Sequence, residues 1–498
     1  MDRKNARTVD FLGNPVPSPI IEGRSDWSGV ALALAQGDPA RVAAQVKAAW
    51  ELPQQRDSIV EGLLLWLADR PAGLLDPVLG SLAAAVRIAQ DDPQQAVEPI
   101  IIASLLLIDH LGARPVLAPL APAELPFSAA SLAAAVAQGD GSAAEAWVGR
   151  ALADGVDPLT IQKQLLALAC RYPGDGAVAA LAVQRVGAIR TALGPARAVA
   201  VLPRLARAIA DRPEELPCTQ AHEQRLAAIG DSLSSVAKTS SPEKAKVFQE
   251  VKFRPHILDG AGDTALRATW KALAFGIPPE LIADSLALAA AERVLRTEVA
   301  VANEASAVEG WPDALHLLCL ADVVRQILAL VPAQDALPLL LYAVAWTHAH
   351  GALDAPVARR WPLPAAEAIH QTWDHGPEIA KIIALWHKGQ AVQAVAHLRG
   401  YFLMVLPDQP LTRQLRVAAF VDAQGRAAHA ALAIAAVTAA VDSFHALAQH
   451  PHHENPLCAV LFALCSWQNP ASRSRLAQAT WSRAGRPQVR RVGAGPGL

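Results

Sequence analysis

Histidine is the residue type in this sequence with the clearest capacity for chemistry. Twelve of the fifteen histidines follow residue 300. Neutral imidazole is the commonest transition-metal ligand, so this distribution favours a mononuclear iron, zinc or copper site in the second half of the chain. The best pair is His316 and His429, because each lies in the first turns of a long, nearly all-apolar segment. A hydrogen-bonded core histidine is the alternative interpretation of His316.

Two further histidines, His348 and His350, end another apolar segment just before Gly351. Residues two apart on a helix point to different sides, so at most one of them can face a given site. Their alternative role is to interact favourably with the C-terminal end of the helix dipole. The tract QHPHHENP, residues 449–456, also resembles a metal-binding sequence, but its two prolines indicate a surface loop.

Standard catalytic and cofactor motifs are missing from the sequence. It contains no glycine-rich nucleotide loop, no nucleophile elbow and no paired zinc-binding histidines, so we expect no nucleotide cofactor. The five cysteines form no C-x-x-C pair, which argues against an iron–sulfur cluster, a zinc ribbon and a disulfide framework. Glu292 and Arg293 enter an otherwise apolar segment and predict a buried ion pair between helices.

The composition predicts an all-α fold. Alanine and leucine dominate, 52% of residues are hydrophobic, and tyrosine and phenylalanine are scarce, which favours helices over strands. Apolar-periodic segments alternate with short Gly/Pro/Asp breaks, the pattern of stacked antiparallel helix hairpins. Internal echoes support this pattern: residues 33–50 resemble 135–152, residues 151–169 resemble 272–290, and 384–402 is a looser third copy.

A chain of 498 residues usually exceeds one core, so we expect two helical lobes. The predicted organisation is an irregular N-terminal arm (1–25), an N-terminal lobe (26–230), a polar linker or loop (231–254), a C-terminal lobe with the candidate site (255–482) and a disordered tail (483–498). The polar segment 231–254 is equally compatible with an exposed loop and helix inside one domain.

Charge and hydropathy limit the partners and the location. The formal net charge of −2 leaves no electrostatic footprint for nucleic acid. No apolar run is long enough for a membrane span, and the N-terminus has no apolar core of a signal peptide. We therefore expect a soluble cytoplasmic protein without nucleic-acid or membrane partners.

One stretch, GWPDALHLLCLADVVRQIL, carries a family resemblance. It is similar to the segment W-x-D-x-x-H-x-L-x-x-A-x-x-x-R of questin oxidase-like helical proteins, some bacterial members of which also carry a Rieske domain. The matching positions are Trp311, Asp313, His316, Leu318, Ala321 and Arg325. The likeness extends at low identity over roughly residues 145–480, and this chain lacks the Rieske cysteines.

The resemblance implies an all-helical fold with a mononuclear non-haem iron site, holding Fe(II), that uses O₂ on a bulky aromatic or polycyclic substrate. His316 is then a metal ligand and His429 a second one. We expect His348 or His350 to complete the set, and Trp311 and Trp346 to line an apolar substrate pocket.

Two departures from the family pattern are equally compatible with a rearranged metal site and with a protein that binds no metal. The lysine that tends to follow the second histidine is absent after His429, and the segment LALACRYPGDG lacks the histidine that usually opens it. The alternative is a non-catalytic relative without the metal site. Such a protein is either a helical-repeat scaffold with a protein partner or a small-molecule-binding protein.

Overall fold

Aspartate followed by proline marks several helix starts in this chain. The carboxylates of Asp38 and Asp157 each accept a backbone N–H bond of 3.1 Å from the first turn of the following helix. Pro39 and Pro158 occupy the first helical positions, where a missing N–H is harmless. These local signals fix where two of the longer helices begin.

The computed structural model describes residues 27–68, 76–111, 120–173, 177–194, 196–211, 236, 240–260, 264–299, 302, 310–357, 360, 363–367, 375–421 and 427–467. Within them the α-helices are α1 (Ser28–Ala35), α2 (Pro39–Trp50), α3 (Pro53–Ala68), α4 (Asp76–Asp91), α5 (Val97–Leu111), α6 (Ala129–Ala137), α7 (Gly141–Ala153), α8 (Pro158–Arg171), α9 (Val178–Leu193), α10 (Val201–Ala210), α11 (Pro242–Ala245), α12 (Glu250–Leu258), α13 (Thr264–Phe275), α14 (Pro279–Arg296), α15 (Trp311–Leu328), α16 (Ala333–Ala349), α17 (Gly376–His387), α18 (Ala391–Leu403), α19 (Asp408–Val421), α20 (Ala427–Ala446) and α21 (Asn455–Ser466). Short 3₁₀ turns cover Pro93–Ala96 and His350–Leu353. The all-α class is confirmed, since these residues form no strand and only an isolated bridge joins Thr297 to Asp354.

Six of the described turns between consecutive helices share one geometry. Their left-handed residues are Gly37, Gly139, Gly155, Gly276, Gly389 and Val405, with φ between 55° and 97°. Each left-handed residue donates its N–H to the carbonyl of the residue three positions earlier. The next residue in the chain donates its N–H to the carbonyl of the residue five positions before itself. This is the Schellman motif, which satisfies the last carbonyls of a helix and reverses the chain. Val405 is the exception, because a β-branched residue rarely adopts this conformation.

The internal echoes predicted from the sequence each contain one of these turns. Gly139 and Gly155 bound α7 and lie sixteen residues apart, and Gly389 and Val405 bound α18 with the same spacing. The two hairpin pairs α6–α7–α8 and α17–α18–α19 are therefore built alike. Helix hairpins of this kind cannot bury their apolar stripes alone and must stack on their neighbours.

The helices of the two predicted lobes share one hydrophobic core in the described part of the chain. Helix α20 packs against α4 and α5, α15 against α9, and α16 against α8. Alanine is abundant along α20, and small side chains let neighbouring helices approach closely. The predicted N-terminal and C-terminal lobes are thus joined by direct helix–helix packing.

The described part of the polar segment 231–254 includes α11 and the first five residues of α12. Helix α12 packs on α13, and Lys244 of α11 lies over the Phe275 ring of α13. The predicted arm (1–25) and tail (483–498) lie outside the described residues. None of the helices in the described residues is both long enough and apolar enough to cross a bilayer.

Candidate functional site

Trp311 begins α15 and is completely buried. Its indole packs edge-to-face against Phe462 of α21, with ring centroids 5.9 Å apart. Gly310 precedes it with φ 143°, a conformation that favours glycine and lets the chain turn sharply into the helix. Trp311 therefore anchors the start of α15 in the core, and it lines neither of the two cavities described below.

His316 is half-buried and lies one turn along α15 from Asp313. The carboxylate of Asp313 faces the end of α16, where its Oδ2 atom lies 3.9 Å from Nε2 of His350. The structure thus brings one predicted ligand, His350, close to the helix turn that carries another, His316.

The hydrogen bonds of His348 and His350 explain why their rings point to different neighbours. Nδ1 of His348 lies 2.9 Å from the carbonyl oxygen of Ile257 on α12, and Nδ1 of His350 lies 2.9 Å from that of Trp346. A carbonyl only accepts, so each Nδ1 carries a proton, and the other ring nitrogen, Nε2, is the one that could bind a metal. Metal-binding histidines often adopt this tautomer, but here the two rings are bonded to two different helices, α12 for His348 and α16 for His350.

Trp346 belongs to an aromatic column along α16. Its indole stacks on Tyr342 with centroids 5.6 Å apart and meets the His350 ring at 5.2 Å. The indole is half-buried, and its Nε1 atom is buried without a hydrogen-bond partner. The column supports His350 from one side, so Trp346 has a structural role here whether or not a ligand binds nearby.

His429 lies in the first turn of α20, but its side chain is outside the part that the structure describes. Within the described residues, no group of three or more His, Cys, Asp or Glu is arranged to hold a metal ion. The set of His316, His429, His348 and His350 as iron ligands stays a prediction.

Two buried carboxylates form a polar centre that the sequence analysis missed. Asp322 of α15 is buried, and burial together with repulsion from Asp442 of α20 raises its pKa well above the ordinary value. Burial also raises the pKa of Asp442, against the opposing effect of Arg87 and Arg416. Arg87 lies 2.7 Å from Asp442, and Gln326 donates a 2.6 Å hydrogen bond to Asp322. The polar centre ties α4, α15, α19 and α20 together.

The predicted buried ion pair of Arg293 exists, with a partner from the loop after α16. Nη1 of Arg293 lies 2.6 Å from Oδ2 of Asp354, and both side chains are buried. The same guanidinium donates to the carbonyls of Leu258 and Thr347. Glu292 faces elsewhere and pairs with Arg296 at 2.5 Å. Arg293 therefore joins α12, α14 and α16 at one point.

The larger of the two cavities is an open groove of about 690 Å³ between α12 and α13, which we call the α12–α13 groove. Phe248, Phe253 and Phe275 line it, together with the basic side chains of Lys252, His256, Arg267 and Lys271. The lining positions on α13 recur every three or four residues, so one face of that helix forms a wall. The other cavity, about 260 Å³, lies beside Trp50, whose ring carries the guanidinium of Arg56 at 5.8 Å.

The sequence alone does not indicate this groove. The helix segment TALRATWKALAF carries Arg267 and Lys271 four residues apart, which on an isolated helix is typical of a solvated face. The facing residues come from the polar segment predicted to be a linker. Their juxtaposition depends on the tertiary fold, so neither pattern alone indicates a site.

Comparison with known proteins adds no information about this site, and it does not test the resemblance to questin oxidase-like proteins. A comparison with protein-family models, with curated proteins and with solved structures finds no match for the chain.

Proposed function

We propose that the chain is a non-catalytic helical protein that binds an apolar small molecule in the α12–α13 groove. The observation that carries this proposal is the groove itself. Its volume of about 690 Å³ lies within the ordinary range of small-molecule sites, and three phenylalanine side chains line it. Phe253 is buried, Phe248 meets it at 5.3 Å, and Phe275 remains 55% exposed at the rim.

The surroundings of the predicted metal ligands support the same proposal. Nδ1 of His348 is hydrogen-bonded to the carbonyl of Ile257 and Nδ1 of His350 to that of Trp346, so the two rings have different partners. These bonds satisfy a half-buried imidazole without any metal. The fold thus has a use for both histidines that does not depend on iron.

Equilibrium titration of the full chain with the neutral fluorescent probe N-phenylnaphthylamine tests the proposal. We expect saturable binding at one site that is weakened in Phe275→Ala and Phe248→Ala. Leu403→Ala is the control, since Leu403 is 72% exposed on a different helix. Binding that does not saturate, or that the two phenylalanine variants leave unchanged, would remove the groove as a binding site.

The contact between His350 and Asp313 favours a second candidate function, an iron-dependent oxygenase acting on a bulky aromatic substrate. Imidazole and carboxylate are the donor types of mononuclear non-haem iron sites, which use three protein ligands. Asp313 and His350 supply two donors 3.9 Å apart, and the described residues contain no group of three. This function therefore requires another ligand, and His316 and His429 are the sequence-based candidates.

Metal analysis after expression with added iron separates the two functions. The oxygenase predicts about one iron per chain, as for a mononuclear site, with the iron lost in His316→Ala and His350→Ala. The binding protein predicts iron at background level in the wild-type chain and unchanged probe binding in both variants. Stoichiometric iron that survives both substitutions would exclude the predicted ligand set.

A further inference from the structure

We infer that the ligand of the α12–α13 groove is an anionic amphipath: a linear apolar body with one negatively charged end group, such as a long-chain carboxylate. This inference rests on the proposed function, because it names the class of ligand for the same groove. The argument uses the charges of the groove wall, their lack of partners and the direction of the two helices.

Three exposed cations on the groove wall have no acidic partner in the described part of the chain. They are Lys252 of α12 and Arg267 and Lys271 of α13. The opposite face of α12 behaves differently, since Arg254 lies 3.4 Å from Glu250 and 3.2 Å from Glu292. The cations that face the groove are thus available to an external anion.

The described lining residues of the α12–α13 groove include no aspartate or glutamate. Lysine and arginine side chains that converge on one cleft raise the local concentration of anions there. An uncharged apolar ligand would gain no electrostatic attraction from these cations, whereas a ligand with an anionic end group would be attracted to them.

One end of the groove carries no phenylalanine. There the end of α12, at His256, and the start of α13, at Thr264, both lie against Gly260, so the two helices run antiparallel. Phe248 and Phe275 lie at the opposite end, and Lys252 and Lys271 lie between the two ends. A bound amphipath would place its anion near Arg267 and its apolar body over the phenylalanines.

The length of the groove suits an extended ligand. Its α13 wall runs from Thr264 to Phe275, which at the helical rise per residue is about 16 Å. At its apolar end, Nζ of Lys244 lies 3.9 Å from the centroid of Phe275. This cation–π contact covers one side of the ring and leaves the other to the groove.

A matched pair of probes tests the inference on the full chain. Anilinonaphthalenesulfonate is the anionic counterpart of the neutral N-phenylnaphthylamine. We expect the double variant Arg267→Gln/Lys271→Gln to bind the anionic probe about 3- to 10-fold more weakly and the neutral probe unchanged. The anionic affinity should also fall with added salt, because the charges are exposed. The charge-matched control is Lys381→Gln/Lys388→Gln, on exposed positions of and beside α17.

The outcomes separate the inference from the proposed function. If neither probe binds saturably, both fall. If the neutral probe binds and the double variant affects the two probes alike, the anionic end group is wrong and the apolar groove stands. Loss of anionic binding in the α17 control as well would mean that net charge, not the groove, attracts the probe, and would also overturn the inference.

Competition identifies the end group. Dodecanoate and dodecyl phosphate should displace the anionic probe at lower concentration than dodecanol, and the stronger of the two indicates whether a carboxylate or a phosphate fits. Equal displacement by dodecanol would overturn the inference. Displacement by an acidic peptide alone would overturn it as well, in favour of a protein partner.

Discussion

Asp322 of α15 and Asp442 of α20 repel each other across the packed interface of these two helices, and each has a raised pKa. Desolvation is the main cause in both cases, because both carboxylates are buried and an ion loses its hydration there. The consequence is a dependence of stability on pH that can be measured.

A raised pKa means that the folded chain binds the Asp322 proton more tightly than the unfolded chain, where the ordinary value is 3.8. This contribution to stability is complete below that value and is lost as the pH rises through the raised pKa. In Asp322→Asn a neutral amide replaces the carboxylate. We expect the free energy of unfolding at pH 7 to increase by on the order of 1 kcal/mol.

Denaturant unfolding from pH 3.8 to 7 measures this effect. The difference between Asp322→Asn and the wild type should shrink towards the acidic end. Asp57→Asn, at a residue whose side chain is 54% exposed, is the control and should change stability by less than about 0.5 kcal/mol. A variant that is less stable than the wild type, most of all at pH 7, would mean that Asp322 is ionised and held by its arginine neighbours.

Val405→Gly should stabilise the protein. Val405 has φ 55° and is 88% exposed, so it contributes strain and almost no packing. A left-handed backbone destabilises the folded state by about 1–2 kcal/mol at a non-glycine residue. Glycine removes this strain, but its greater conformational entropy in the unfolded state offsets part of the gain. We expect a net gain of about 0.5–1 kcal/mol in the free energy of unfolding. The reverse change at the equivalent turn, Gly389→Val, should lower stability, and a gain there would contradict the equivalence of the two turns.

Removing the guanidinium of Arg293 should be among the most damaging substitutions. Arg293→Met leaves Asp354 buried without its closest cation and leaves the carbonyls of Leu258 and Thr347 without a donor. Breaking a buried pair in this way costs about 3–5 kcal/mol. Equilibrium unfolding, combined with Asp354→Asn in a double-mutant cycle, measures the coupling between the two side chains.

A surface pair provides the comparison for Arg293. Arg150 and Asp154 lie 2.6 Å apart, four residues apart on the chain, and both are partly exposed. Arg150→Met should therefore lower the free energy of unfolding far less than Arg293→Met does. Losses of similar size at the two arginines would show that the buried pair adds nothing beyond a surface contact.

The described cysteines should be inert in the folded protein. Cys170, Cys319, Cys458 and Cys465 are buried thiols that take part in no disulfide, and burial raises the pKa of Cys170 and of Cys458. The thiolate is the reactive form, so both factors protect them from alkylation. Mass spectrometry after iodoacetamide treatment should find these four unmodified in buffer and modified in urea. Rapid native labelling of Cys170 would instead indicate local opening of α8.

Helices and turns could be predicted from the sequence because their signals are local. Glycine after an apolar segment and aspartate before proline determine a helix end and a helix start within a few residues of chain. The echo of 151–169 in 272–290 correctly indicated the turns at Gly155 and Gly276. Likewise, Arg293 in an apolar helix correctly indicated a buried ion pair.

Features made by residues far apart in the chain could not be predicted in the same way. The environment of Asp322 depends on Asp442, which comes from a different helix far along the chain. Asp354, the partner of Arg293, follows a helix that the sequence does not link to α14. The α12–α13 groove needs two cationic helix faces to meet, and each face alone is an ordinary solvated surface.

The packing of α20 on α4 and α5 has a consequence for how this chain could be shortened. An open array of helix hairpins can lose its last repeat while the others keep their neighbours. Here α20 packs on α4 and α5, which lie far from it in the chain. Ending the chain before α20 would uncover the part of α4 around Gly80, which lies against Ala435 of α20. The core therefore needs a late helix to cover an early pair, so the chain cannot be shortened hairpin by hairpin from that side.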